Sequence, residues 1–596
     1  MTNDALGTTN YPEWDLSSLY VHDTDPAINK DWDLSTVQAA QFQSTYEGMF
    51  KGTSWESQDL LNAITDYEVI QERLGRLASY AGLRYYKNIK DQSILLMYQQ
   101  TQERITTLGA HFIFFSLDLN MIDNKRLEDA CATLPALARY RPYFNQIRAF
   151  KPYQLNADLE KLFMEKSMTS SRALIRLYDE TLAGMSFFAD GKRLSLSGVM
   201  ELMSDGNPTV RRQAAMALSD GLSEKTSLFS FITNTLAKDK DIEDTWRGFA
   251  SPMSERHLAN QVEAEVVDAL TLAVKQHYPR LSHRYYALKA KMMNVPVLQY
   301  WDRNAPLLAA NDTPYTWIEA RQIVLDAYSA FDKTIAAIAH EFFDKNWIDV
   351  PSTDGKTSGA FSHPTVPSAH PYILLNFHGK KRDIMTLAHE LGHGVHQVLA
   401  AKQRYLLSDT PLTLAETASV FGEMLTFQSL LQKAQTVDEK RYLLASKIED
   451  MLNTVVRQIA FYLFEVALHS KRKLGELTTD QINEIWIETQ KEALGDAVHI
   501  DPIVSVYWAY ISHFIHSPFY VYAYAFGDCL VNSLFAVYQQ NPTGFQKKYI
   551  ELLASGGTKG HKELLAPFNL DASNPGFWEK GLSMIENLID QLENLP

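Results

Sequence analysis

The stretch "RDIMTLAHELGHGVHQVLAAKQ", residues 382–403, repeats apolar residues at the period of an α-helix and places three histidines among them. Asp383 stands just before the apolar stripe and is a suitable N-cap, so the stretch predicts a helix over 383–402. The stripe with a period of about 3.6 residues consists of Ile384, Leu387, Ala388, Leu391, Val395, Val398 and Leu399.

Two histidines of this helix have the spacing of a metal site. His389 and His393 are i and i+4, so their imidazoles project from one face and can reach one ion at the ~2.0–2.1 Å expected for zinc. Glu390 points elsewhere, where it can accept a proton from a water at the metal, which suits a general base. Ligands at i, i+4 and i+7 would span about 10 Å, so His396 is expected to stay outside the coordination.

Two glycines lie inside the same predicted helix. Gly392 and Gly394 each cost about 1 kcal/mol there, which indicates that another backbone or a ligand approaches closely. A chance HExxH match in a chain with 17 histidines has odds on the order of a few per cent. The motif therefore needs a third ligand elsewhere in the sequence.

The familiar extensions of HExxH are excluded by position. The form HExxHxxGxxH needs Gly and His where this chain has His396 and Leu399. A carboxylate separated from the second histidine by 18 or 19 intervening residues would fall on Leu412 or Thr413, and neither can serve.

The next glutamates are Glu416 and Glu423, in an apolar helix that we predict over 413–432. They are i and i+7 on one face, and two carboxylates on the side of an apolar helix need a partner such as a cation. Thr413 to Glu416 also reads as a capping box, in which Glu416 would only bond back to the start of its own helix. We favour Glu416 as the third ligand.

The composition excludes several classes of protein. A net charge of −15 disfavours nucleic acid as a partner. Two cysteines, Cys131 and Cys529, indicate a reducing compartment without disulfides. The N-terminus lacks the features of a signal peptide, and the apolar stretch 111–122 is too short and polar to span a bilayer. We expect a cytoplasmic protein with no membrane partner, of unknown oligomeric state.

The remaining patterns suggest a mainly α-helical fold. Helical patterns run from 34 to 180, and Asp190-Gly191 is a hairpin turn signal. We predict an N-terminal helical region over 1–190 and a catalytic region over 191–596. Residues 350–380 are rich in Pro, Ser and Gly around the apolar run "YILLNF" (372–377), which predicts loops and one or two strands.

Several of these stretches resemble one family. "HELGHGVHQ" (389–397) with "LAETASVFGEML" (414–425) is similar to the oligoendopeptidase F branch of the thimet oligopeptidase and oligoendopeptidase F family of zinc metallopeptidases. The resemblance extends to "EWDLSSLY" (13–20), "FADGKRLSLS" (188–197), "HPYILLNF" (370–377), "HSPFYVYAYAFG" (516–527) and the C-terminal 551–582. It thus covers nearly the whole chain.

The resemblance implies a mainly α fold of two helical lobes around a deep substrate channel, with a small β-sheet beside the HExxH helix. It implies one zinc ion, Zn2+, with His389, His393 and Glu416 as ligands. It implies Glu390 as the general base and Glu423 as the partner of a ligand histidine. The strand "YILLNF" would offer an exposed edge to an extended peptide.

The C-terminal segment 513–527 carries the remaining chemistry. Ser517-Pro518 is a suitable helix start, which would place Tyr520 and Tyr524 at i and i+4 on one face. Tyr522, on the other side, is expected in the core.

Relatives in the family place a histidine and tyrosines in this segment to bond the tetrahedral intermediate. The resemblance therefore implies such a role for His513, Tyr520 and Tyr524. The choice between His513 and His516, and among the tyrosines, stays open.

The motifs and the resemblance together predict a zinc-dependent metalloendopeptidase that cleaves internal bonds of short unstructured oligopeptides. One alternative is a peptidyl-dipeptidase, which would need a cation for the terminal carboxylate, and the sequence identifies none. A second is a peptide-binding protein without activity. Two histidines and a carboxylate suit zinc, but manganese or cobalt stays open.

Overall fold

The computed structural model describes residues 11–307 and 314–596. It is 72 % helix and 4 % strand, which confirms the predicted mainly α fold. The first ten residues of the opening stretch, interpreted above as free of a signal peptide, lie outside the described residues. The chain divides into two compact units. Unit 1 comprises Met1–Lys151, Asp312–Gln432 and Asn541–Phe568, and unit 2 comprises Pro152–Asn311, Lys433–Gln540 and Asn569–Pro596.

The strands of the described residues are few and short. They are β1 (Phe187–Ala189), β2 (Lys192–Leu194), β3 (Leu298–Gln299), β4 (Ile348–Pro351), β5 (Phe361–His363), β6 (Tyr372–Phe377) and β7 (Val498–His499).

Unit 1 holds the predicted metal ligands on a helical framework. Several of its helices begin at polar caps: Asp91 accepts from the amides of Ser93 and Ile94, and Thr316 forms a capping box with Glu319. Its helices are Pro26–Tyr46, Ser57–Lys87, Gln92–Gly109, Ile113–Met121, Asn124–Thr133, Pro135–Ala138, Arg141–Ala149, Trp317–Phe331, Lys333–Asp344, Lys381–Ala400, Tyr405–Ser408, Leu412–Ala415, Thr417–Lys433, Phe545–Leu553 and His561–Leu565.

The sheet of unit 1 packs beside the HExxH helix, as expected. Its strand order is β4-β6-β5, with β6 parallel to β4 and antiparallel to β5. The predicted strand 372–377 is confirmed as β6, and its side chains are almost all buried, as is typical of a central strand covered on both faces. The predicted exposed edge of "YILLNF" is wrong, because β6 has a neighbour on each side. The edges of this sheet belong to β4 and β5.

Unit 2 is also helical and contains the predicted hairpin. β1 and β2 pair antiparallel through Asp190 (φ 49°) and Gly191 (φ 72°), so the two-residue turn is confirmed. The helices of unit 2 are Ala157–Ser167, Ser171–Gly184, Leu196–Leu202, Pro208–Ser223, Thr226–Arg247, Ser254–Ala259, Ala264–His277, Arg284–Met292, Val437–Thr454, Val456–Arg472, Thr479–Leu494, His513–His516, Tyr522–Gln540 and Pro575–Glu593.

The core of unit 2 is centred on the helix Tyr522–Gln540, which is buried along most of its length. It packs closely on Pro575–Glu593, because a Cβ on Gly581 would lie 2.4 Å from the carbonyl oxygen of Cys529. Such an approach of two helix backbones requires glycine at the contact.

The compact units do not reproduce the predicted division at residue 190. The hairpin at that position lies inside unit 2, and each unit is assembled from three separate segments of the chain. A turn signal marks a local reversal of the chain, whereas the unit boundaries follow contacts between distant segments. The regions 1–190 and 191–596 therefore stay a prediction about function.

Within the described residues, one helical stretch, Val437–Arg472, is long and apolar enough to cross a membrane, and 61 % of its apolar window is buried inside the protein. A bent pair, Gln92–Met121 with Asn124–Thr133, meets the same criteria only when its two parts are taken together. Buried core helices have the same composition. The absence of a membrane partner stays a prediction.

Candidate functional site

The HExxH helix begins two residues earlier than predicted. It runs over Lys381–Ala400 with Lys380 at the N-cap. Asp383 is the third residue of the helix. Its carboxylate accepts from the backbone N–H groups of His378 (2.7 Å) and Lys380 (3.0 Å), which precede the helix. The expectation that Asp383 is the N-cap is therefore wrong, although its carboxylate still stabilises the helix start.

The structure brings His389, His393 and Glu416 together. The Nε2 atoms of both histidines lie 3.4 Å from Glu416 Oε2, and the candidate ligand atoms of all three residues lie within 4.8 Å of one another. Donors bound at ~2.05 Å to one tetrahedral ion are ~3.3 Å apart. The spacing thus fits a shared ion better than a charge-assisted hydrogen bond, which is typically ~2.7–2.9 Å long.

Glu416 does not sit inside a continuous helix over 413–432. A short helix, Leu412–Ala415, is followed by Thr417–Lys433, and Glu416 lies at the junction with φ −77° and ψ 0°. The capping-box alternative is wrong, because the short helix has Pro411 as N-cap and Leu414, not Glu416, in its third position. Ser419 Oγ instead donates to Glu416 Oε2 (2.6 Å) and orients the carboxylate.

The HExxH helix touches the backbone of the helix after Glu416, as Gly392 indicated. A Cβ on Gly392 would lie 2.5 Å from the carbonyl oxygen of Ala418. A Cβ on Gly394 would lie 2.5 Å from the ring of Phe342. These close approaches explain both glycines. A side chain at Gly392 would collide with the backbone of the neighbouring helix, and one at Gly394 would collide with the ring of Phe342.

Two further residues hold His389 in place. Glu423 Oε2 accepts from His389 Nδ1 (3.3 Å), which leaves Nε2 directed at Glu416. Tyr328 donates its hydroxyl hydrogen to the carbonyl oxygen of Ala388 (2.6 Å). That hydroxyl would be 2.1 Å from a Cβ on Gly422, next to Glu423. Tyr328 was not identified from the sequence. A glycine inside the predicted helix, Gly422, was a signal that another group packs closely there.

Glu390 lies at the edge of the cluster and beside β5. Its side chain is 8 % exposed, and burial raises the pKa of its carboxyl against the opposing effect of His389 and His393. The backbone amide of Ser362 in β5 is close enough to oppose this rise slightly. Ser362 Oγ donates to Gln397 Oε1 (2.9 Å) on the HExxH helix. β5 therefore lies beside the glutamate expected to act as base.

The electrostatics of the cluster favour a cation. Burial disfavours the charged imidazole, yet the carboxylates of Glu423, Glu416 and Glu390 raise the pKa of His389 to about 9. Burial also opposes ionisation of Glu416, but His393, His389 and Ser419 lower its pKa to about 2. A partly buried set of three carboxylates thus stabilises positive charge at the point where the ligand atoms meet.

His396 lies apart from this cluster. It is buried, and burial lowers its pKa to about 4. Its Nε2 is 3.4 Å from Thr410 Oγ1. The structure agrees with the helix-geometry argument that a histidine at i+7 lies too far along the helix to share an ion with His389 and His393.

In unit 2 the structure brings His513, Tyr520 and Tyr524 together. His513 Nε2 lies 3.2 Å from the hydroxyl of Tyr524, and the rings of His513 and Tyr520 are nearly parallel with centroids 6.1 Å apart. Burial, with smaller effects of Arg457 and His516, lowers the pKa of His513. All three side chains are partly exposed.

The alternatives in this segment have different surroundings. His516 is exposed, and its Nε2 lies 2.7 Å from Asp179 Oδ1. Tyr522 is buried, and its hydroxyl accepts from Asn260 Nδ2 (2.8 Å), in agreement with the expected core position.

The predicted helix start at Ser517-Pro518 is wrong. Ser517 ends the short helix His513–His516, and the next helix begins only at Tyr522. Tyr520 therefore lies in a turn, so Tyr520 and Tyr524 are not i and i+4 of one helix. The two rings still meet edge to face, with centroids 5.2 Å apart.

The sequence of the chain is similar to those of known peptidases. Residues 201–584 match peptidase family M3, and residues 118–187 match Oligopeptidase F. The chain belongs to peptidase family M3. It is a peptide-hydrolysing metalloendopeptidase of a family of zinc metallopeptidases.

Relatives over the whole length support this assignment. The chain is 26 % identical to oligopeptidase PepF of Bacillus subtilis, over 98 % of this chain and 87 % of that protein. It is 26 % identical to group B oligopeptidase PepB of Streptococcus agalactiae, over 98 % of this chain and 97 % of the relative. The structure of oligoendopeptidase-F from Enterococcus faecium has a TM-score of 0.72 at 21 % identity, and covers 95 % of this chain and 99 % of that one. This last likeness is one of fold.

Proposed function

We propose that this M3 peptidase is a zinc-dependent endopeptidase that hydrolyses internal bonds of short unstructured peptides in the cytoplasm. The observation that carries the proposal is the 3.4 Å spacing from Glu416 Oε2 to the Nε2 atoms of His389 and His393. Two imidazoles and one carboxylate form the donor set of zinc peptidases. The restriction to short peptides is supported by the names of the relatives PepF and PepB, which are oligopeptidases.

A bound zinc ion would supply Lewis acidity, which polarises the scissile carbonyl and makes a water acidic enough to ionise near neutral pH. Glu390 would take the proton of the attacking water and then give it to the leaving amine. Its raised pKa supports both roles, because an ordinary carboxylate is a weak acid–base catalyst at neutral pH. Glu423 would hold the His389 ring through Nδ1.

The peptide itself would pair with β5 rather than with β6. The sheet order leaves the outer edge of β5 without a partner strand in the described part of the chain. An extended peptide can add to such an edge through main-chain hydrogen bonds, whatever its side chains. Because the Ser362 backbone in β5 is close enough to Glu390 to affect its pKa, a peptide on this edge would run near the general base.

His513, Tyr520 and Tyr524 are proposed to donate hydrogen bonds to the developing oxyanion. The resemblance to relatives supports this role, and the grouping of the three side chains within unit 2 is compatible with it. His516 is a weaker candidate because its ring pairs with Asp179.

Mass spectrometry of a graded mixture of unstructured peptides, with and without a chelator, tests the proposal. We expect internal cuts confined to the shorter peptides, loss of cutting with chelator, recovery with added zinc, and one zinc ion per chain by elemental analysis. Stepwise release of C-terminal dipeptides would instead indicate a peptidyl-dipeptidase. Metal binding without any cleavage would favour the peptide-binding alternative.

A further inference from the structure

The turn from Ser517 to Tyr520 is the strained element beside the His513 cluster. The N–H of Tyr520 donates to the carbonyl oxygen of Ser517 (3.1 Å), Pro518 is in the second position, and Phe519 is in the third with φ +60°. These are the features of a type II β-turn, whose third position normally takes glycine because φ is positive. Phenylalanine is an unfavourable residue for this conformation.

One peptide group of this turn is held at both ends. The carbonyl oxygen of Pro518 accepts from Arg256 Nε (3.2 Å), and the N–H of Phe519 donates to Glu465 Oε1 (2.8 Å). Type I and type II turns differ by a flip of this same peptide group. The two side chains therefore select the orientation that requires a positive φ at Phe519.

Glu465 is placed for this contact at a considerable desolvation cost. It lies on the helix Val456–Arg472 and is 2 % exposed. Its Oε2 has no hydrogen-bond partner among the described residues. The residue lines a cavity of about 20 Å³ together with His469 and Pro518. Burial raises the pKa of Glu465 to about 8, against the opposing effects of the Phe519 amide and Arg256. A neutral carboxyl still accepts from an amide through its carbonyl oxygen.

The turn also determines where the ring of Tyr520 lies. The ring of Phe519 is fully buried, with its centroid 4.7 Å from that of His469 and 6.3 Å from that of Tyr462. The guanidinium carbon of Arg256 lies 5.9 Å from the ring centroid of Tyr520, at the outer limit of a cation–π contact. Tyr520 is the next residue in the chain, and its ring plane is nearly parallel to that of His513.

We infer that Glu465 is a positioning residue, which holds the Pro518–Phe519 peptide in its type II orientation and thereby keeps Tyr520 beside His513. Arg256 holds the other end of the same peptide. The kinetic consequence rests on the proposed role of Tyr520 in catalysis, whereas the effect on the turn itself does not.

Glu465→Met and Glu465→Gln separate the hydrogen bond from the packing. Met removes the acceptor at similar volume, so we expect kcat to fall about tenfold to a hundredfold, as a small misplacement of a reacting group does. KM should change less than about twofold, because a uniform binding contact is not lost. Gln keeps an acceptor oxygen and resembles the neutral acid, so it should retain the kcat of the parent enzyme.

The matched control is Glu449→Gln, at another largely buried carboxylate of unit 2. Glu449 accepts from Lys289 and Tyr285, away from the turn. This variant should melt at a lower temperature and keep the parent kcat per folded chain. Should Glu465→Met fail to fold, Arg256→Leu releases the opposite end of the same peptide and is expected to lower kcat in the same way.

A double-mutant cycle with Tyr520→Phe tests whether Glu465 acts through this tyrosine. If it does, Glu465→Met should have little further effect on kcat once the hydroxyl of Tyr520 is gone. Full additivity would overturn the inference. A loss of kcat in Tyr520→Phe, together with a parent-like Glu465→Met, would also overturn it while the proposed function stands.

Hydrogen exchange gives a readout that needs no activity. Peptides covering 513–524 should exchange faster in Glu465→Met than in the parent, Glu465→Gln or Glu449→Gln proteins. Peptides from Pro575–Glu593 serve as the internal reference for global unfolding. If exchange in 513–524 is unchanged in the Met variant, the positioning role is wrong, even if the enzyme cleaves no peptide.

Discussion

The candidate metal site of unit 1 and the His513 cluster of unit 2 are built on different principles. In the first, the candidate ligand atoms of His389, His393 and Glu416 are carried by helices or the junction between them, and Glu423 contacts one of the histidines. In the second, His513, Tyr520 and Tyr524 are rings more than 5 Å apart, joined by one 3.2 Å contact and a strained turn.

Because of this difference, substitutions in the two clusters should impair the enzyme in different ways. A change in the first cluster alters the number or geometry of donors, so it should appear in the metal content or in proton transfer. A change in the second leaves all metal donors in place, so it should appear in turnover alone. The expected effects decrease from Glu390, through Tyr520 and His513, to Glu423 and Tyr328.

The largest effect is expected for Glu390→Gln. Glutamine keeps the shape of the side chain but cannot accept and return a proton, so kcat should fall by ~10²–10⁴-fold. His389, His393 and Glu416 are untouched, so the metal content should remain that of the parent protein. Steady-state kinetics on a quenched fluorescent peptide and elemental analysis measure both quantities.

Glu341→Gln is the control for this change, because Glu341 is an exposed glutamate of unit 1 that pairs with Lys345. It should leave both kcat and metal content unchanged. An active Glu390→Gln enzyme would show that the assigned base is wrong. Loss of metal in that variant would show that Glu390 belongs to the coordination of the ion.

Tyr520→Phe and His513→Gln test the second cluster. Each removes one proposed oxyanion donor, so kcat should fall by ~10²–10³-fold with full metal content. The same segment provides the controls: Tyr522→Phe alters a buried hydroxyl bonded by Asn260, and His516→Gln alters the exposed partner of Asp179. Both controls should keep the parent kcat. A larger loss in His516→Gln than in His513→Gln would reverse the choice between the two histidines.

The elements that follow from a regular period could be predicted from the sequence. The HExxH helix, the strand 372–377 and the Asp190-Gly191 hairpin are present where the patterns predicted them. Periods of 3.6 and 2 residues and a two-residue turn depend on neighbours in the sequence, so a single chain carries that information. The assembly of unit 1 from three distant segments does not depend on local patterns, so no turn signal in the sequence could predict it.

The same reasoning explains which parts of the site were missed. The i, i+4 spacing predicted His389 and His393 as a pair, and the structure places Glu416 with them. Tyr328 is 60 residues away from Ala388, and no spacing rule connects the two. Ser517-Pro518 satisfied a rule for helix starts, but Glu465 and Arg256 hold the next peptide in a turn, so tertiary contacts overrode the local preference.

Glu423→Gln is expected to have an intermediate effect. The amide oxygen can still accept from His389 Nδ1, but the negative charge that orients and polarises the ring is lost. Metal affinity should fall by ~10–100-fold, as measured by competition with a chromogenic chelator. At saturating metal, kcat should recover much of its parent value, in contrast to the Glu390→Gln enzyme. Unchanged affinity would show that the 3.3 Å contact does not act on the metal site.

The smallest effect is expected for Tyr328→Phe, which removes only the hydroxyl that donates to the carbonyl oxygen of Ala388. That carbonyl is inside the HExxH helix, so its helical hydrogen bond remains when the tyrosine hydroxyl is lost. The ring still fills the space above Gly422. The free energy of unfolding should therefore fall by about 1 kcal/mol, and metal affinity by less than about threefold.

Denaturant unfolding and chelator competition measure these two quantities, with Tyr140→Phe as the control. Tyr140 is a buried tyrosine of unit 1 whose hydroxyl donates to Glu68 (2.6 Å), a residue outside the HExxH helix. Both variants should lose stability, but only Tyr328→Phe should weaken metal binding. A tenfold loss of affinity in Tyr328→Phe would mean that the hydroxyl positions His389 as strongly as Glu423 does. Equal affinities in the two variants would mean that helix packing alone holds the histidine, so the metal cluster would depend on fewer contacts than the turn of unit 2.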